Sequence, residues 1–144
     1  AVDPGTGIVE ILDYVLAEDA GTLINPMIVD GQIIGGTAQG VGSALYEEAR
    51  FSMDGQPLDS TLADYLLPGP NEMPNVRLLH METPSPYTTF GQKGVGEGGA
   101  IGPGAAIANA INDALRPLGA ELCGIPATPR RVLKAIADAS AVEN

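Results

Sequence analysis

The chain has 144 residues, enough for one small domain with a core, and 44% hydrophobic with 17% charged residues marks a globular rather than a disordered protein. A net charge of -11 and a pI near 4.2 argue against nucleic acid or an anionic membrane as partner, since both need basic surface. The one cysteine, Cys123, excludes an internal disulfide framework and a thiolate metal or iron–sulfur centre, and reads as a small buried hydrophobe.

In chain order, Asp3-Pro4-Gly5-Thr6-Gly7 is turn chemistry, and Ile8 to Glu18 follows with near-alternating apolar residues, which predicts a strand. The turn stands almost at the first residue. The strand's partner is therefore expected to be missing or barely present, with an exposed edge. Asp19 to Pro26 reads as a loop, with Asn25 as cap and Pro26 in the first turn of a helix over about Met27 to Ala49. Asp54-Gly55 signals a short two-stranded ribbon, Leu62 to Leu67 another short strand, and Val76 to Met81 a further strand by its alternation. Pro84 to Gly99 is a Pro- and Gly-rich loop. A second helix is expected from about Pro103 to Leu118, with Ile107, Ile111 and Leu115 at i, i+4 and i+8. Thr128-Pro129 caps a last helix carrying Val132, Leu133 and Ile136, and Ser140 to Asn144 are expected to fray. The order of elements predicts an α/β (α+β) fold, one domain over residues 1–144, with a mixed, mainly antiparallel sheet on which two main helices pack. The first residues do not read as a signal peptide and no apolar run is long enough to cross a bilayer, so the cytoplasm is the expected location.

Two glycine-rich segments need a reason, because glycine weakens regular elements unless something must approach the backbone. In Gly31 to Gly42, Gln32 and Gln39 are seven apart and share a helix face with Gly35 and Gly36. Two amides with no bulk between them suit a hydrogen-bonding heterocycle such as a pterin. The same glycines equally serve close packing of one helix on another. Ile34, Val41 and Leu45 form a separate apolar stripe. The second segment, Gly91 to Gly99, lies between a strand and a helix. Its free N–H groups could receive a phosphate or an oxo group, and Glu97 is a lone carboxylate in a glycine frame, either aimed into a cavity or exposed on a turn. The order of a Walker A loop is absent, and the match to a dinucleotide fingerprint is loose. His80 reads as packing or surface, Glu47 and Glu48 as a solvated helix end, and Asp19 and Asn25 as turn and cap residues. No cluster has metal-ligand spacing.

Taken together and in order, Asp19-Ala20-Gly21-Thr22-Leu23-Ile24-Asn25-Pro26, then Gly31-Gln32 and Gln39-Gly40, then Gly94-Val95-Gly96-Glu97 before an Ala-rich helix, resemble the molybdopterin-binding large subunit of molybdenum hydroxylases. This is the xanthine oxidase family, including aldehyde oxidoreductases and aerobic carbon monoxide dehydrogenases. The resemblance covers nearly the whole chain and points to the C-terminal part of that subunit. Glu97-Gly98-Gly99 and Tyr65-Leu66-Leu67-Pro68 look closest to the carbon monoxide dehydrogenase-like branch. The resemblance implies that Glu97 is the general base. It also implies that Gln32 hydrogen-bonds the cofactor, that Lys93, Gly94, Val95 and Gly96 line the molybdenum site, and that Gly35, Gly36 and Gln39 face the cofactor. The implied cofactor is molybdopterin with Mo, expected as a cytosine dinucleotide. The metal is then held by the pterin dithiolene and by no protein side chain. The implied activity is oxidation of an aldehyde, heterocycle or CO-like substrate with water as oxygen source. Electrons leave through iron–sulfur clusters to FAD on partner domains or subunits. The implied partners are the remainder of the large subunit, iron–sulfur and flavin subunits and a small-molecule substrate.

The sequence departs from that pattern in two places. Ala20 stands where relatives often carry a small thiol-bearing or aliphatic residue, and most of the large subunit has no counterpart here. The chain alone is therefore expected to hold no molybdenum and to turn nothing over. Two other readings stay open: a non-catalytic assembly domain and a glycine-loop nucleotide-binding module.

Overall fold

A computed structural model describes residues 1–142. The turn at Asp3 forms as its residues dictate: the Asp3 carboxylate accepts the Gly5 N–H and the Thr6 hydroxyl, each at 2.8 Å, and Gly7 takes φ 74°. The turn closes through a single antiparallel bridge, Val2 with Val9. The expected strand from Ile8 is shorter than its apolar pattern. Only Tyr14–Asp19 finds a ladder partner and forms β1.

Asn25 then opens α1 (Pro26–Leu45) with its side chain accepting the Ile28 N–H at 3.3 Å and Pro26 in the first turn. The helix stops before the expected Ala49, because the Gly42 carbonyl takes both the Tyr46 and the Glu47 N–H and the last turn unwinds. Glu47 and Glu48 are consequently not a solvated end. Glu47 accepts the Tyr65 hydroxyl at 2.5 Å, and Glu48 pairs with Arg131 of the last helix.

The ribbon at Asp54-Gly55 forms, with a Phe51–Pro57 bridge and Gly55 at φ 78°. The strand expected over Leu62 to Leu67 does not. Thr61 accepts the Asp64 and Tyr65 N–H groups and binds the Asp64 carboxylate through its hydroxyl, so local polar groups make a turn instead. The chain next forms β2 (Val76–Met81), as its alternation predicted.

β2 pairs with β1 in parallel, Tyr14 opposite Val76 through to Asp19 opposite Met81. This corrects the expected mainly antiparallel sheet. Among the described residues the sheet is two-stranded and parallel, and antiparallel pairing is confined to isolated bridges. The reason is the connection: a crossover containing α1 returns the chain to the same end, which a parallel pair requires.

The second main helix, α2 (Gly98–Leu115), starts five residues before the expected Pro103 and continues as a single 3₁₀ turn to Leu118, where Gly119 at φ 63° ends it. Its glycines and internal proline are poor helix formers. They are carried by packing, because α1 lies directly on them. A Cβ at Gly40 would meet the Pro103 ring at 2.6 and 2.7 Å, and one at Gly36 would meet the Ala100 nitrogen and Gly99 Cα at 3.0 Å. The last helix, α3 (Pro129–Val142), forms, although the Thr128 hydroxyl is buried without a partner and only its carbonyl joins the helix. The helix runs through Ser140, so the expected fraying is not seen there; Glu143 and Asn144 lie outside the described residues.

The main core joins Val41, Ala44 and Leu45 of α1, the predicted stripe Ile107, Ile111 and Leu115 of α2, and Val132 of α3. Two apolar expectations fail: Ile34 is 45% exposed, its place taken by fully buried Ile33, and Cys123 is exposed. A second cluster, Ala20, Val29 and Ile33 with Leu16, Leu78 and Val95, joins the sheet to α1 and to the glycine-rich loop.

Candidate functional site

The loop from Gly91 to Glu97 is tied to the end of β1. Gly21 and Gln92 form an antiparallel bridge, the Thr22 N–H donates to the Gly91 carbonyl at 3.1 Å, and the Lys93 N–H donates to the Ala20 carbonyl at 2.9 Å. Glycine is required at Gly21 (φ 65°) and Gly91 (φ 77°), where the two backbones touch. Asp19 locks the junction. Its carboxylate accepts from the Gly21 N–H at 2.9 Å, the Thr83 N–H at 3.0 Å and the Lys93 ammonium at 3.0 Å. The Lys93 ammonium, with those backbone donors, holds its pKa well below the ordinary carboxylate range. Asp19 is thus more than a turn residue. It fastens three segments, one of them bearing Lys93, a link that sequence spacing does not display.

Beyond Lys93 the loop opens. Gly94 and Gly96 have nothing within 4 Å of where a Cβ would stand, and Val95 between them packs on the second core cluster. Glu97 occupies the N-cap position of α2, is exposed, and makes no side-chain capping bond. A carboxylate is therefore presented on a backbone anchored on both sides.

The face of α1 divides. Gln32, Gly35 and Gln39 are exposed, and a Cβ at Gly31 or Gly35 would meet nothing within 4 Å. Gly36 and Gly40 are buried under α2. Gly36 and Gly40 serve packing against α2, and Gly35 leaves an open surface beside two amides. The Ile33 carbonyl of α1 fills the space a Cβ would take at Gly99. That contact brings the backbone next to Gln32 against the backbone two residues after Glu97, although the two are far apart in sequence.

These residues fit the expected cofactor's organic part. An exposed primary amide flanked by open glycines accepts a flat heterocycle with donors and acceptors on its edge, and Gly94 and Gly96 leave a second approach unobstructed. No group of three or more His, Cys, Asp or Glu among the described residues is placed to hold a metal ion.

Two further polar features escaped the sequence reading. His80 is not merely packing: its Nε2 lies 2.8 Å from an Asp30 carboxylate oxygen, joining β2 to α1. Glu18, inward-facing on β1, lays its carboxylate against Gly98 at the start of α2; its Oε2 is buried with no hydrogen-bond partner, and burial pushes its pKa up against a lowering by His80. An acidic residue at an inward position of an alternating strand was the available signal. Elsewhere, an apolar groove of about 460 Å³ lies between the N-terminal turn and α2, lined by Val2, Val9, Tyr14, Ala106 and Ala110, and holds none of the candidate residues. No helix among the described residues is long and apolar enough to cross a membrane.

Comparison with known proteins gives a family match over residues 1–74, to the molybdopterin cofactor-binding domain. The nicotine 6-hydroxylase large subunit of Paenarthrobacter nicotinovorans is 43% identical over 134 residues, covering 93% of this chain and 16% of that protein. The carbon monoxide dehydrogenase large chain of Hydrogenophaga pseudoflava is 36% identical over 135 residues, covering 94% of this chain and 17% of that one. Among solved structures, quinoline 2-oxidoreductase from Pseudomonas putida 86 superposes with a TM-score of 0.92 at 43% identity, over 95% of this chain and 17% of that one. The chain thus spans about one sixth of the length of the curated relatives it matches. Gln32, Gly35, Gly36 and Gln39 fall within the family match. Glu97 lies beyond it, but inside any stretch covering 93% of the chain.

Proposed function

Because the chain belongs to the molybdopterin cofactor-binding domain family of molybdenum hydroxylase large subunits, we propose that it is the Glu97-bearing part of a molybdopterin-dependent oxidoreductase using water as oxygen source. The proposed substrate is a nitrogen heteroaromatic. Relatives named for nicotine and quinoline are each 43% identical, against 36% for the carbon monoxide dehydrogenase chain.

When bound, a molybdenum–pterin centre supplies the two-electron acceptor for such an oxidation. The chain's own groups bind, orient and move a proton. The Gln32 amide donates to and accepts from the pterin edge, Gln39 extends that face, and Gly35 lets the ring lie close to α1. Lys93, held by Asp19, fixes the loop, and Gly94 to Gly96 keep side chains out of the substrate's path. Glu97 takes the proton from the water-derived nucleophile. Iron–sulfur clusters and FAD on partner domains or subunits would supply the electron acceptors, and the remainder of the large subunit would complete the pocket.

The observation that supports this reading best is an exposed, uncapped Glu97 on an anchored backbone, in contact through Gly99 and Ile33 with the helix that carries Gln32. The test is Glu97→Gln in the complete enzyme, which keeps size but removes the proton acceptor. The expected result is molybdenum and pterin content near normal and kcat lower by about 10²–10⁴-fold. Unchanged turnover per molybdenum would make Glu97 a surface residue and remove the reading.

A further inference from the structure

We infer that Val95 and Gly99 are positioning residues for Glu97: seated two residues before it and two residues after it, one on the apolar cluster that contains Ile33 and the other on the Ile33 backbone, they set the distance from Glu97 to Gln32. The inference rests on the reading of Glu97 as the base and Gln32 as a cofactor contact, and names what holds the two in register.

Glu97 contributes little to its own placement. It is exposed, makes no side-chain bond to α2, and follows Gly94 and Gly96, where nothing stands within 4 Å of a Cβ position. Glycines there leave the backbone free to spread over many conformations. Val95 is the one side chain between them, and it packs on the cluster of Ala20, Val29 and Ile33. A β-branched side chain has few rotamers, so its seat fixes the backbone that carries it. On the other side Gly99 is buried, and the Ile33 carbonyl oxygen lies 2.3 Å from where its Cβ would stand. The Gly99 Cα in turn lies 3.0 Å from where a Gly36 Cβ would stand. Gly99 thus rests in a notch between two backbone positions of α1 about one turn apart, where no flexible side chain can yield.

Ile33 follows Gln32 directly and is fully buried. Both seats therefore lead to the short stretch of α1 that carries the cofactor-facing amide, and a packed path of a few residues joins the Glu97 backbone to Gln32. The Asp19–Lys93 link cannot fix this distance by itself, because it ends at Lys93, before the open glycines. Displacing a reacting group by about 1 Å can cost about 10²-fold in rate. Such a loss falls on kcat, because a displaced base weakens the transition state and leaves ground-state binding of the substrate in place.

The experiment uses the complete enzyme. Val95→Ala empties the first seat, Gly99→Ala forces the second apart, and Val29→Ala makes the same truncation in the same cluster at a position outside the Glu97 loop. The readouts are kcat and KM per bound molybdenum, the urea midpoint, and a crystal structure of the cofactor-free enzyme. Val95→Ala is expected to lower kcat about tenfold and Gly99→Ala about 10²-fold, with KM little changed. Val95→Ile, which keeps a β-branched side chain in the seat, is expected to keep kcat near that of the unsubstituted enzyme. Val29→Ala is expected to lower the urea midpoint at least as much as Val95→Ala, since Val29 is the more buried, and to leave kcat per bound molybdenum near normal. The structures of Val95→Ala and Gly99→Ala are expected to show Glu97 displaced relative to Gln32 by on the order of 1 Å. Losses of kcat that simply follow stability across all three truncations, or a Glu97 that has not moved, overturn the inference. If Gly99→Ala does not fold, Val95→Ala against Val29→Ala decides by the same criteria. Glu97→Gln is assayed alongside. If it retains turnover, the reading of Glu97 fails; if it abolishes turnover while Val95→Ala and Gly99→Ala act no differently from Val29→Ala, only the positioning inference fails.

Discussion

Gly40 and Gly35 lie on one helix, five residues apart, and the same substitution should act on them with opposite sign. In a helix interior, alanine is favoured over glycine by about 1 kcal/mol. At Gly35 nothing stands within 4 Å of the new methyl, so Gly35→Ala should stabilise the cofactor-free protein by roughly that amount. At Gly40 the methyl would stand 2.6 Å from Pro103 Cγ and 2.7 Å from its Cβ, about 0.8 Å short of ordinary contact. The Pro103 ring cannot rotate away and is itself buried. The helices must part instead, and overpacking of this kind costs about 1–3 kcal/mol. After the propensity gain, Gly40→Ala should destabilise by up to about 2 kcal/mol. Urea unfolding of the cofactor-free protein, with the midpoint and slope fitted together, measures both. If the cradle reading of Gly35 is right, Gly35→Ala also lowers molybdopterin occupancy while raising stability. Equal shifts of the same sign at the two positions would refute the division of α1 into a packed face and an open face.

Three other outcomes follow from the same geometry. Asp19 has a folded-state pKa below its unfolded value, so its contribution to stability is fully present above pH about 4 and is lost only as pH falls through the lowered value. Asp19→Asn should remove that acid dependence and raise hydrogen exchange at the Lys93 amide, and an unchanged exchange rate would mean that the Asp19–Lys93 link does not hold the loop. Gln32→Ala should reduce molybdopterin content with near-normal turnover per bound molybdenum, the reverse of Glu97→Gln, as metal analysis alongside steady-state kinetics would show. Asn25→Ala should cost about 1 kcal/mol in thermal or urea unfolding, through loss of the cap to the Ile28 N–H.

Local chemistry made much of this protein readable from its residues. Asp3 to Gly7 had to turn, Asn25-Pro26 had to open a helix, Asp54-Gly55 had to close a ribbon, and Ile107, Ile111 and Leu115 had to face a core, because each outcome depends on groups within a few residues. The family was legible as well, through the order of its motifs. Contacts between distant segments decided the rest. Strand alternation is the same for either pairing direction, so only the return of the chain through α1 made β1 and β2 parallel. Propensity placed the start of α2 at Pro103, but the close approach of α1 carried a helix through Gly98 and Gly99. Periodicity put Gly35 and Gly36 on one face, and the crossing of the two helices buried one and left the other open.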